Sequence, residues 1–236
     1  RKSIKLDDMP MGIVGVGHVG TMVEKMARYL GFKVLLCDPP RAAVEGEEKF
    51  CSLDYLLANS QIVTMHVPLD ETTRKMANET FFAMMPTGSI FINASRGEVV
   101  DEEALMMALP KFGAVVIDTW DGEPDINEEL LEMVDIATPH IAGYSYQGKL
   151  NGTATSVQAV ARHFGIEDLY DFYPQSGDED RSPVLLDLKG KTQGQVAAVF
   201  QYNYPIYTDD FRFRMEPHNF EKMRSNYQYR REIYVE

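Results

Sequence analysis

Met11-Gly12-Ile13-Val14-Gly15-Val16-Gly17-His18-Val19-Gly20 is an apolar strand running straight into Gly-x-Gly-x-x-Gly, with an amphipathic helical pattern behind it. That arrangement reads as a dinucleotide-binding turn. Gly15 permits the tight turn, Gly17 lets the backbone approach a pyrophosphate, and Gly20 lets helix and strand pack closely. The phosphates are expected on the unpaired N–H groups of the helix beginning near His18, with backbone contacts from His18 and Val19.

The context strengthens the glycine pattern. A second apolar run, Lys33-Val34-Leu35-Leu36-Cys37, ends in Asp38, 18 residues after Gly20, close to the ~20 expected of the acid that binds the adenosine ribose. A carboxylate there accepts from both ribose hydroxyls and repels a 2′-phosphate, which favours NAD over NADP. Arg41, three residues on, could in principle meet a 2′-phosphate, but reads as a solvated loop arginine.

Strand-length apolar runs recur at 11–16, 32–37, 61–65, 89–93, 113–117 and 134–137, alternating with helical patterns near 18–30, 52–58, 74–85, 101–109 and 126–132. This alternation predicts an α/β fold, a Rossmann-type doubly wound parallel sheet with every strand's carboxyl end on one rim. A helix is expected over about 147–164, a polar linker over 173–183, a strand from 184, helices over 192–203 and 217–227, and a last strand at 232–235. The expected organisation is a cofactor domain over 1–146, a returning helix and linker over 147–183, and a small C-terminal α+β domain over 184–236. So short a tail buries little alone, so it is expected to pair with a second copy.

Polar groups follow the later strands. Asn93-Ala94-Ser95-Arg96-Gly97 follows one, Asp118-Thr119-Trp120-Asp121-Gly122-Glu123-Pro124 the next, and Thr138-Pro139-His140-Ile141-Ala142-Gly143 the last. Hydride transfer from a hydroxyacid needs a grip on a carboxylate and a group that moves the hydroxyl proton. Arg96, with a planar and permanently charged fork, suits the first. His140 suits the second, and Glu123 would orient its imidazole.

Taken in order, these four motifs resemble the D-2-hydroxyacid dehydrogenase family over roughly residues 11–165. The resemblance implies that Arg96, Glu123 and His140 are catalytic, and that Asp38, the backbone at Ala94, Asp118 and Gly143 contact NAD, with Asp118 receiving the nicotinamide carboxamide. Tyr144-Ser145 and the tail around Asn219–Tyr227 and Arg230-Arg231-Glu232 resemble a branch of that family acting on a small phosphorylated hydroxyacid. That branch implies a homodimer formed through the tail and a substrate contact from Tyr144. A glycerate or 3-phosphoglycerate dehydrogenase and a noncatalytic NAD-binding dimerisation protein are the rival readings. Since the first strand begins at Met11 and Arg1 is not an initiator methionine, an upstream segment is expected to be missing, and the resemblance implies that it forms much of the substrate domain.

With 236 residues, 44% of them hydrophobic, the chain has material for a sizeable core. A net charge of −13 opposes nonspecific binding to nucleic acid or anionic membranes. No apolar run approaches the ~18 residues of a transmembrane helix, so a cytoplasmic protein is expected. Cys37 and Cys51 show no metal-ligand spacing and read as reduced and structural, and no metal is expected. Pro68 reads as a wall near the adenosine and His66 as a packed strand residue. His163 and His218 read as structural, Trp120 as core or interface, and Lys222, Arg224, Arg230 and Arg231 as a solvated or inter-subunit face.

Overall fold

A computed structural model describes residues 9–175 and 182–235; most of the linker expected at 173–183 lies outside these. Two compact units emerge, one of residues up to His140 with Ile206–Ser225, the other of Ile141–Pro205 with the chain from Asn226.

The first unit is built on six parallel strands: β1 (Pro10–Val14), β2 (Lys33–Cys37), β3 (Ile62–Met65), β4 (Ile90–Asn93), β5 (Ala114–Ile117) and β6 (Ile136–Ala137). Their order is β2-β1-β3-β4-β5-β6, so the doubly wound sheet expected from the alternation is present. β1 pairs with β2 from Pro10↔Lys33 to Val14↔Cys37, and with β3 from Met11↔Ile62 to Val14↔Met65. The winding therefore reverses at β1, and the crevice beyond its carboxyl end is where such sheets take ligands. All four residues of β3 are buried, which is why this central strand is apolar apart from Thr64.

Helices α1 (His18–Tyr29), α2 (Pro39–Glu45), α3 (Leu53–Asn59), α4 (Glu79–Met84), α5 (Glu102–Ala108) and α6 (Glu128–Met133) form the connections. The side chains of Ser52, Asn78, Asp101 and Asn127 each accept a backbone N–H of the first turn that follows, satisfying donors a helix start leaves unpaired. The helix expected from 74 starts only at 79. Lys75 has φ +52°, Ala77 bridges to Val100, and Asn78 is the cap. α2 has no counterpart among the expected helical patterns; it starts at Pro39-Pro40, where proline's missing N–H is harmless, and Asp38 caps the turn.

Leu56, Val63, Met65, Phe82, Phe91, Leu105, Trp120 and Leu130 are among the residues of the main core. Phe82 meets Phe81, Phe91 and Phe112 edge-on, with centroids 5.2–5.9 Å apart, a favoured aromatic arrangement. Ile13, Val16 and Leu36 form a separate smaller cluster.

The division into units departs from the boundaries expected at 146 and 183. After α7 (Tyr146–Phe164) and α8 (Gln193–Asn203), the tail helices α9 (Ile206–Met215) and α10 (Phe220–Ser225) belong to the first unit. The reason is packing: Phe213 and Phe220 are fully buried, and the Phe213 ring lies 5.8 Å from that of Trp120. Asp210 accepts the backbone N–H of Ala137 in β6 at 2.7 Å, and Arg214 donates to the carbonyls of Leu131 and Val134. α9 thus satisfies polar groups that β6 and the end of α6 would otherwise leave unpaired.

In the second unit, Ser145 caps α7 by accepting from Gly148 N and donates to Glu232 at 2.5 Å. Tyr146 N donates to Arg230 O. β7 (Val184–Leu186) pairs in parallel with β8 (Ile233–Val235), so the two tail strands pair with each other. No helix among the described residues is long and apolar enough to cross a membrane.

Candidate active site

Because all strands of the first unit run the same way, their carboxyl ends share one rim. From β1 to β6 that rim carries Gly15–Gly20, Asp38, His66–Pro68, Ala94–Arg96, Asp118–Glu123 and His140.

The three glycines differ physically. Gly15 has φ +84°, and a Cβ there would lie 2.7 Å from His66 C and Val67 N. A Cβ on Gly20 would stand 2.1 Å from the carbonyl oxygen of Gly15, whereas one on Gly17 would meet nothing within 4 Å. Gly17, His18 and Val19 are exposed. No side chain caps α1, and its first turn holds no acidic residue, so its N–H groups and positive dipole end suit an anion. Asp38 accepts from Val16 N at 2.7 Å and from Arg41 N at 3.0 Å. Of roughly four lone-pair positions on a carboxylate, two remain for two ribose hydroxyls. These residues fit a dinucleotide: an open backbone at the pyrophosphate position, an uncapped helix start and an acid with acceptor capacity.

Arg41 is not the solvated loop group expected. It donates to both carboxylate oxygens of Glu45 at 2.6 and 2.8 Å, to Val16 O at 2.6 Å and to Thr21 Oγ1 at 3.2 Å.

At the ends of β4 and β5, two loops are pressed backbone to backbone. A Cβ on Gly97 would stand 1.8 Å from the carbonyl carbon of Trp120, so only glycine permits that approach. Asn93 Oδ1 accepts from Ser95 N and Oγ, while its amide donates to Arg96 O. The turn so fixed presents Arg96 exposed, with one guanidinium bond to the Ser95 carbonyl at 2.6 Å. Ala94 is half-buried beside it.

Glu123 uses its two oxygens on different partners. Oε1 accepts from Trp120 N at 2.9 Å, and Oε2 lies 2.7 Å from Nδ1 of His140. Trp120 is anchored in turn by its indole N–H, which donates to Thr138 O at 2.9 Å. Glu102 holds the same turn by accepting from Asp121 N at 3.0 Å, and burial raises its carboxyl pKa. His140 has φ +53°, a conformation that costs a non-glycine residue about 1–3 kcal/mol. Its N–H donates to Asp118 O at 2.7 Å, and Thr138 Oγ1 donates to the buried Asp118 carboxylate at 2.6 Å. With Nδ1 facing Glu123, Nε2 is the ring nitrogen left to face a substrate.

Sequence reasoning overlooked Gly97, Thr138 and the Trp120 backbone as supports of these groups. Gly97 and Thr138 are the end residues of the motifs that carry Arg96 and His140, so their place in those motifs was the available signal. His66 closes β3 beside Gly15; its Nε2 lies 2.9 Å from Thr64 Oγ1 and its Nδ1 is buried. Burial lowers its pKa to about 4 and raises that of the Cys37 thiol to about 11. Pro68 is exposed on the same rim. Gly143 and Tyr144 lie in the second unit, where the Tyr144 ring packs edge-on against Tyr227 and Tyr229 at 6.0 Å and faces the Lys149 ammonium at 3.9 Å.

The sequence profile of the D-isomer specific 2-hydroxyacid dehydrogenase NAD binding domain matches residues 1–142. Erythronate-4-phosphate dehydrogenase of Proteus mirabilis is 40% identical over 249 residues, covering 98% of this chain and 64% of that protein. The enzyme of that name from Bacteroides thetaiotaomicron is 40% identical over 234 residues, covering 97% and 65%. The chain thus spans a little under two thirds of the curated relatives it matches. Among solved structures, D-lactate dehydrogenase of Aquifex aeolicus, complexed with NAD and lactic acid, superposes with a TM-score of 0.62 at 29% identity, over 74% of this chain and 60% of that one.

Proposed function

Because the chain belongs to the D-isomer specific 2-hydroxyacid dehydrogenases and carries their NAD-binding domain, we propose that it oxidises 4-phospho-D-erythronate to (R)-3-hydroxy-2-oxo-4-phosphobutanoate, a step toward pyridoxal 5′-phosphate. The observation that carries this reading is the Glu123–His140 pair, 2.7 Å apart on the rim that also holds Arg96 and the glycine turn. The names of the 40%-identical relatives supply the substrate.

NAD, when bound, supplies the hydride acceptor. Arg96 holds the substrate carboxylate through its fork and so orients the C2–H bond. His140 Nε2 takes the hydroxyl proton, while Glu123 keeps the other proton on Nδ1. Asp38 accepts from the adenosine ribose, the helix start at Gly17–Gly20 holds the pyrophosphate, and Pro68, Ala94 and Asp118 complete the cofactor contacts from the first unit.

The reading includes a cytoplasmic homodimer formed through the tail. The homodimer is supported by a row of exposed apolar side chains on α9, which is tail sequence packed with the first unit: Tyr207, Phe211 and Met215, each 62–65% exposed at the i, i+4, i+8 spacing of a helix face.

The test is NADH formation with 4-phospho-D-erythronate against D-3-phosphoglycerate, beside NAD+ titration calorimetry. Selective turnover of the phosphoerythronate is expected. Preference for phosphoglycerate would replace the substrate, and NAD+ binding without turnover of either acid would favour a noncatalytic NAD-binding protein.

A further inference from the structure

The turn that carries the ribose acid also carries a cation held in an unusual way. Arg41 N donates to Asp38 Oδ1, so the arginine side chain leaves the backbone beside the carboxylate expected to meet the ribose. A cation placed there is what a 2′-phosphate requires. Yet four of the five guanidinium N–H groups are already engaged. Two go to the Glu45 carboxylate one helical turn along α2, and two go to Val16 O and Thr21 Oγ1. The Arg41 guanidinium also lies 5.5 Å from the Phe50 ring centroid.

This arrangement does two things. Val16, between Gly15 and Gly17, is held from both sides: its N–H by Asp38 and its carbonyl by Arg41. Arg41 thereby fixes the glycine turn. Glu45 meanwhile cancels the arginine charge with a bidentate contact, the strong form of such a pair. Asp38 and Glu24 are the other carboxylates acting on Arg41, and Lys49 is the other cation acting on Glu45. An open cavity of about 670 Å³, lined also by Arg28 and Lys49, adjoins the pair and leaves the arginine room to swing if released.

We infer that Glu45 is a cofactor-specificity residue, holding Arg41 as a clamp on the glycine turn and so withholding it from a 2′-phosphate. Selection of NAD over NADP then has two parts, repulsion by Asp38 and sequestration of the nearby cation by Glu45. The inference rests on the reading of this turn as an NAD site.

The experiment is titration calorimetry with NAD+ and NADP+ on the unaltered protein, on Asp38→Asn, on Asp38→Asn with Glu45→Ala, and on that double variant with Arg41→Ala added. Melting curves on each accompany it, and Glu45→Gln serves as the shape-conserving alternative. Asp38→Asn removes the repulsion. Adding Glu45→Ala is expected to raise NADP+ affinity relative to NAD+ by about tenfold, the worth of one charge-assisted hydrogen bond. Glu45→Gln should shift the ratio the same way by less, and Arg41→Ala should abolish the gain. An unchanged ratio on removing the Glu45 charge, or a gain that survives Arg41→Ala, overturns the role of Glu45. Failure of the unaltered protein to bind NAD+ overturns instead the dinucleotide reading beneath it.

Discussion

Replacing Glu123 by glutamine exchanges one oxygen for an NH2 group and tests the chemistry assigned to the rim. Oε1 accepts from Trp120 N at 2.9 Å, and Oε2 faces His140 Nδ1 at 2.7 Å. The backbone N–H of Trp120 can only donate, so the glutamine oxygen must stay there and the amide NH2 must face the histidine. Nδ1 then becomes an acceptor and the imidazole proton moves to Nε2, the wrong tautomer for taking a hydroxyl proton. Turning the amide over to restore the productive tautomer sets donor against donor at Trp120, an unsatisfied group that costs about 1–3 kcal/mol. Loss of the carboxylate opposite the imidazolium formed in the reaction removes about 1.5–3 kcal/mol more. Together these predict a fall in kcat of about 10²–10⁴-fold. NAD+ affinity by calorimetry should stay nearly unchanged. The tautomer is read directly by ¹⁵N NMR of the His140 ring, with the proton on Nδ1 in the unaltered protein and on Nε2 in the variant. Turnover within about threefold of the unaltered protein, or a ring that keeps its proton on Nδ1, would refute the reasoning.

The glycines of the turn separate binding from folding. Gly20→Ala, whose Cβ would stand 2.1 Å from Gly15 O, should lower stability by about 1–3 kcal/mol in a melting experiment. Gly17→Ala, with nothing within 4 Å, should leave the melting temperature unchanged while NAD+ affinity falls. His66 gives a pH prediction. Burial holds its folded pKa near 4, below its ordinary 6.5, so between these values the unfolded chain binds more protons than the folded one. Its contribution, on the order of 3 kcal/mol, is fully present above pH 6.5 and is lost as pH falls toward 4. Denaturant titrations across that window should show a flatter loss in His66→Gln; equal slopes would mean the ring does not titrate this way.

Much of the first unit was legible in the chain because its causes are local. A strand buried on both faces is mostly apolar, so Ile62–Met65 announces itself, with Thr64 its one polar residue. A glycine that must accept φ +84° or lie against another backbone leaves its mark in the motif spacing. The rim residues after β4, β5 and β6 followed from the parallel alternation, since a shared strand direction places every carboxyl end on one side. The misread elements had competing local signals. Pro39-Pro40 looks like a breaker yet starts α2 behind the Asp38 cap, and the stretch from Arg74 looks helical where Lys75 turns the chain and Ala77 bridges to Val100.

By itself the sequence determined the sheet, the glycine turn and the order of chemical groups along one rim, because these depend on hydrophobic period, backbone sterics and chain direction, all local properties. Only the tertiary structure decided how those groups are held. Trp120, fixed to Thr138, sets which oxygen Glu123 offers to His140. Arg41 reaches 25 residues back to Val16 instead of standing in solvent. The helices at 206–225 leave the tail to which their position assigns them and bury Phe213 and Phe220 in the first unit. Contacts between residues distant in sequence depend on complementary shape and on pairing every buried polar group, and no local pattern encodes either.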